Sequence, residues 1–170
     1  GTIAVENCTA DVDIAAQKDP GGNMRYGGIV GYHKGTTLVI KNTSTSGLIS
    51  CGYSCNCSGG IVAYSGSSTS TLISQCKSSV SMRKDTGKQL SNSGGMVGCH
   101  GSTGSCTIEN CYATGDLDIH QRCGGLVGTQ ENGTLSIVNS YTTSSLTGFS
   151  GLGSIVGVTS GASASLVMTG

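Results

Sequence analysis

At 170 residues the chain is long enough for one domain with a sizeable core, yet only 11% of it is charged, against roughly 25% in ordinary globular domains. Nine Lys and Arg balance nine Asp and Glu, so no basic surface draws nucleic acid or anionic lipid. Apolar runs stop at about four or five residues, which excludes membrane insertion by a helical span.

The chain opens "GTIAVENC", with no Met and no basic or apolar leader, as expected of a mature product or an excerpt of a longer protein. Its first phrase, "AVENCTADVDI", returns as "VIKNTSTSGLI", "LISQCKSSVSM", "TIENCYATGDL" and "SIVNSYTTSSL". Between these stand GGIVG at Gly27–Gly31, GGIVA at Gly59–Ala63, GGMVG at Gly94–Gly98, GGLVG at Gly124–Gly128 and GSIVG at Gly153–Gly157, separated by 32, 35, 30 and 29 residues. A period in this range is the mark of a solenoid.

Alignment turns the repeats into columns. Val5, Ile40, Ile73, Ile108, Ile137 and Val167 form one, and Asn7, Asn42, Gln75, Asn110 and Asn139 another. Next come Cys8, Thr43, Cys76, Cys111 and Ser140, after which every second residue stays small or apolar up to Ile14, Ile49, Met82, Leu117 and Leu146. This is the period of a strand with one face inward. No segment carries a helical period. Each repeat is read as three short strands, and the whole of 1–170 as a single all-β domain: a right-handed parallel β-helix, or β-solenoid, of about five coils of 29–35 residues. At about 4.8 Å per rung it stands roughly 24 Å tall.

The Asn column sits where inward parity shifts by one, so it marks a corner, and stacked amides there can hydrogen-bond from coil to coil. The paired glycines enter the next strand where a bend needs positive φ or close backbone approach. Period two should turn one of the two apolar residues after each pair outward, leaving an apolar column for a loop or neighbouring chain to cover. GG-[ILM]-V-G at this spacing resembles the GLUG-motif repeat of secreted and surface-attached proteins. The resemblance implies a β-solenoid in an extracellular setting and carries over no catalytic residue; Ala63 and Ser154 depart from it as small replacements for Gly.

Nine cysteines and four sequons, at Asn7, Asn42, Asn56 and Asn132, favour an oxidising, extracellular compartment. Cys76 and Cys111 share a column on adjacent coils, within disulfide reach, and Cys99 and Cys106 flank the turn "HGSTGS". Buried thiols filling the core are the other reading of the first pair. Asn132, in the "QENGT" turn, is the better glycan acceptor, since Asn7 and Asn42 belong to the amide ladder.

Catalytic chemistry finds little support. Asp11 and Asp13 lie about 14 Å, or three rungs, from Asp116 and Asp118, too far for paired carboxylates of a glycosidase. His33 and His100 are two rungs apart, about 10 Å, too far to share a metal. "CGYSCNC" (Cys51, Cys55, Cys57) lacks the second CxxC of a zinc site. Lys77, Asp11, Tyr112 and Tyr141 interrupt the flat threonine face that ice binding needs. No cofactor and no enzyme activity are expected. The reading is an extracellular structural β-solenoid, part of a fibre, filament or stalk, associating end to end with further repeats. The alternative is an adhesin or glycan-binding module using the insertions at 15–26, 50–58 and 83–93; a polysaccharide-active enzyme is the weaker rival.

Overall fold

The computed structural model describes residues 1–16, 24–66, 70–101 and 103–170. In the first coil β1 (Thr2–Glu6), β2 (Thr9–Ala16), β3 (Arg25–Gly27) and β4 (Val30–His33) occupy four successive faces, numbered one to four here. The second coil repeats them as β5 (Thr37–Lys41), β6 (Ser44–Cys51), β7 (Cys57–Gly59) and β8 (Val62–Ser65). The third does so as β9 (Ser70–Ser74), β10 (Lys77–Lys84), β11 (Ser91–Gly94) and β12 (Val97–His100). In the fourth coil, β13 (Ser105–Glu109) is followed by a divided second face, β14 (Tyr112–Ala113) and β15 (Leu117–Asp118), then by β16 (Gln121–Gly124) and β17 (Val127–Gln130). The fifth matches it: β18 (Thr134–Val138), β19 (Tyr141–Thr142), β20 (Leu146–Thr147), β21 (Ser150–Gly153) and β22 (Val156–Thr159), before β23 (Ser165–Thr169) returns to face one. Every strand pairs in parallel with its equivalent one coil away, for example Ile40 beside Ile73 and Ile73 beside Ile108. The chain is an all-β parallel solenoid of about five coils, and no helix forms among the described residues.

Face two behaves as its period dictates. Thr45, Ser78 and Ala113 are buried in one inward column and Ile49, Met82 and Leu117 in another, while Lys77, Ser79 and Arg83 point outward. The amide column is a corner of a definite kind. Asn7, Asn42, Gln75, Asn110 and Asn139 all have φ between 46° and 57°, in the left-handed region. Asn tolerates that region better than other side-chain-bearing residues, which explains its recurrence. Each corner N–H donates to a carbonyl of the next coil, as from Asn42 to Ser74 and from Gln75 to Glu109. One bond of the amide ladder is formed, Asn139 Nδ2 donating to Asn110 Oδ1 at 3.4 Å.

The GG phrase departs from expectation. It is not the start of one strand but the bend between faces three and four, so each coil has four faces rather than three. The first two glycines of the phrase need room rather than positive φ. A Cβ on Gly28 would collide with the Gly60 carbonyl, one on Gly60 with that of Gly95, and one on Gly95 with that of Gly125. A Cβ on Gly59 would lie 2.8 Å from Gly98 N, and one on Gly98 2.6 Å from Ser58 O, so the backbones of faces three and four pack directly on each other. Ser154 takes the glycine position at the bend between β21 and β22, the last strands of their sheets in this structure.

The outward apolar column also fails to appear. Ile61 and Val62, Met96 and Val97, and Leu126 and Val127 are all fully buried in one apolar cluster with Ile40, Ile73 and Ile108. The reason is a bulge at the bend. The N–H groups of Ile29 and Val30 both donate to Ile61 O, those of Ile61 and Val62 to Met96 O, and those of Met96 and Val97 to Leu126 O. Two consecutive residues opposite one acceptor break the alternation and both side chains turn inward. A smaller correction concerns Val167. Ile137 pairs with Met168, so Leu166 and Met168 continue the inward columns and Val167 faces out.

The left-handed corner yields a test. Asn42→Ala is expected to be about 1 kcal/mol less stable than Asn42→Gly, the reverse of their order at an ordinary strand position. Urea unfolding of the two variants checks it; Ala equal to or better than Gly would mean the corner is not held left-handed.

Candidate functional site

The insertions between faces two and three line up along one edge of the solenoid. Residues 17–23 of the first lie outside the described residues; the second and third run between Cys51 and Cys57 and between Lys84 and Ser91. Together with face three they border an open, shallow cavity of about 330 Å³, lined by Ser54, Cys55, Asn56, Gln89, Ser91, Asn92, Gln121 and Arg122. Amides, hydroxyls and one guanidinium dominate this wall. Part of it is fixed: Asn92 Nδ2 donates to both Asn56 O and Asn56 Oδ1, at 2.9 and 2.8 Å, and Asn92 Oδ1 accepts from Thr129 Oγ1 at 2.8 Å. Asn92 and Arg122 hold left-handed φ of 51° and 58°, which breaks the strand pattern at the same point on two coils. Chemically, the edge offers convergent neutral donors and acceptors beside a single guanidinium, Arg122.

A second groove, about 360 Å³, follows the amide corner and is lined by Asn42, Thr43, Ser44, Gln75, Cys76, Lys77, Asn110 and Tyr112. Beside it the outward rings of Tyr112 and Tyr141 stack with centroids 5.3 Å apart, a cross-strand pair set by the rung spacing.

All nine cysteines are free thiols in the structure. Cys76 and Cys111 stack as expected, both buried, with the Cys76 N–H donating to Cys111 Sγ at 3.3 Å. Cys99 and Cys106 are not brought together: the Cys99 thiol meets Cys57, whereas Cys106 points into the core of face one. Cys51 and Cys55 hydrogen-bond each other, which raises the Cys51 thiol and lowers that of Cys55. The pairing of Cys57 with Cys99 escaped sequence reasoning because the two stand on different faces, where columns carry no signal. The same blindness hid Arg25, whose guanidinium lies over Tyr32 at 4.3 Å and over Tyr64 at 4.1 Å.

The acids are dispersed along face two. Asp11 accepts from Ser46 Oγ at 2.9 Å and Asp118 pairs with Lys84 at 2.6 Å. Of the sequon asparagines, Asn7, Asn42 and Asn56 are exposed. Asn132 is half-buried, its Oδ1 accepting from Ser163 Oγ of the next coil at 3.2 Å.

At the end of face four, His33, Ser65, His100 and Gln130 stack in one buried column. Burial holds the His100 imidazole well below its ordinary 6.5, at about 4, against a smaller opposing contribution from the Gly104 backbone. His33 shifts the same way, through burial first and the N-terminal ammonium second. Gln130 shows the uncharged solution to the same position, its Nε2 donating to Gly133 O at 2.9 Å and Ser165 O at 2.8 Å.

Neither protein-family models, nor curated proteins, nor solved structures give a match to this chain.

The histidine column makes stability pH-dependent with a definite sign. The folded-state pKa of His100 lies below its unfolded value, so the unfolded chain takes up the extra proton as pH falls. Stability is complete above about 6.5 and is lost toward about 4, by about 3 kcal/mol from His100. His100→Gln, copying Gln130, is expected to remove most of that acid loss in urea titrations at pH 7 and pH 4.5. Equal acid losses in both proteins would show that another group governs it.

Proposed function

We propose that this chain is an extracellular or cell-surface structural β-solenoid of the GLUG-repeat kind, a non-enzymatic segment or subunit of a fibre, filament or stalk that stacks end to end on further coils. One observation carries the reading: the end coils expose the columns that interior coils bury. Leu38, Ile40 and Leu135 are 0% exposed, whereas their equivalents Ile3, Leu166 and Met168 are 50%, 37% and 55% exposed. Unpaired parallel edges with apolar inward columns are templates for another coil, from the same protein or from a second copy. Ser154 opposes stacking locally, because in the interior register the next carbonyl would collide with its Cβ, as the carbonyl of Ser154 would with one on Gly125.

Negative-stain electron microscopy of the native protein tests this. Filaments with an axial repeat near the five-coil height, roughly 24 Å, or a multiple of it are expected. Ser154→Gly should lower the concentration at which they form. Isolated short rods at all concentrations would remove the filament reading. The second reading, a glycan-binding module, is favoured by the amide-lined cavity of the loop edge. Saturable binding on a glycan array, lost in the Gln89→Ala, Gln121→Ala double variant, would support it instead.

A further inference from the structure

Six of the nine thiols stand in three facing pairs, and their surroundings point to covalent closure. Cys76 and Cys111 occupy one column on coils three and four, three residues beyond the paired Ile73 and Ile108. Their side chains are aligned in the same way, Cys76 Sγ donating to Ile40 O and Ser74 O, Cys111 Sγ to Ile73 O and Glu109 O. A rung of about 4.8 Å falls within the Cα separation of about 4.4–6.8 Å that disulfides span.

Cys57 and Cys99 meet across the packed backbones of faces three and four. Their neighbours show that the alignment is general: Arg25 of β3 lies against Tyr64 one coil on, and Asn92 of β11 bonds Thr129 one coil on at 2.8 Å. Cys57 of β7 and Cys99 of β12 are the intermediate step of that series, both buried, with thiol against thiol. Cys51 and Cys55 share one apolar cluster and their thiols face each other across the turn that leads from face two to the cavity.

We propose that oxidation joins Cys76 to Cys111, Cys57 to Cys99 and Cys51 to Cys55, leaving Cys8, Cys106 and Cys123 as thiols. The first bridge ties coil three to coil four, the second coil two to coil three, and the third closes the loop edge. The oxidant is a low-molecular-weight disulfide. A cysteine thiolate attacks one of its sulfurs, expelling one small thiol and leaving a mixed disulfide; the facing thiolate then attacks the protein sulfur and expels the second. Per bridge, two cysteine S–H groups and one small disulfide become one protein S–S bond and two small thiols, two electrons passing to the oxidant. Either sulfur of a facing pair can attack first, and its neighbour then resolves the mixed disulfide. Cys55 borders the cleft of the loop edge but is itself buried, so these bridges are expected to form as the chain folds.

The test is to refold the reduced chain from denaturant in a glutathione redox buffer, so that burial does not limit access. Remaining thiols are then blocked with N-ethylmaleimide and the bridges mapped by mass spectrometry. Three blocked cysteines and an unlabelled mass about 6 Da lower, two hydrogens per bridge, are expected. In Cys57→Ser, Cys99 should become the fourth blocked cysteine while the other two bridges persist, with the β-sheet circular dichroism signal retained. Nine blocked cysteines in the wild type, or any bridge engaging Cys106 or Cys123, would overturn the proposal.

Discussion

The in-register parallel ladder is the interaction on which everything else in this molecule rests. Each residue sits one rung, about 4.8 Å, from its equivalent in the next coil, so a side chain's nearest neighbour is its own column. A column must then be something that stacks on itself. Aliphatic residues do so at Ile40, Ile73 and Ile108, small ones at Thr45, Ser78 and Ala113, and aromatic ones at Tyr112 and Tyr141. Charge does so poorly, because like charges on adjacent rungs repel. The 11% charged content follows from this geometry rather than from any function.

The corners show how a chain turns four times per coil with a single proline and no helix among the described residues. At the corner between faces one and two the turn uses a left-handed residue, and Asn or Gln holds it in every coil. At the bend between faces three and four it uses the absence of side chains, so that glycine backbone packs on glycine backbone. The two devices differ in what they demand of sequence. A left-handed residue is a local requirement that each coil satisfies alone. Carbonyl-over-glycine packing is a requirement between coils, since each glycine lies under the carbonyl of the next coil's equivalent.

How much of this was legible follows from the same distinction. Face two was read correctly because its eight-residue strands are long enough to display a period, from Ala10 through Val12 to Ile14 and again from Ser78 through Val80 to Met82. Faces three and four were merged into one strand because β3 and β7 have three residues and β4 and β8 four, too few for alternation to show. Ile29 and Val30 then looked like one inward and one outward residue, when a shared acceptor turns both inward. The cavity edge was visible as a cluster of insertions, but its lining was not, because Asn92, Gln121 and Arg122 belong to strands rather than loops. Stacking between coils leaves a trace in the repeat; packing between faces of one coil does not.

That asymmetry bears on the cysteines and on stability together. In a solenoid each coil contacts only its neighbours, so the chain can open at any interface between coils. Two of the three facing thiol pairs span consecutive interfaces in the middle of the molecule, one within a column and one across faces. A bond within a column fixes register along one face only. A bond across faces three and four would additionally keep the bend from unzipping, beside the glycine backbones that pack on each other there. Formed together, the two bridges would constrain coils two to four as a block, which opens only as a unit.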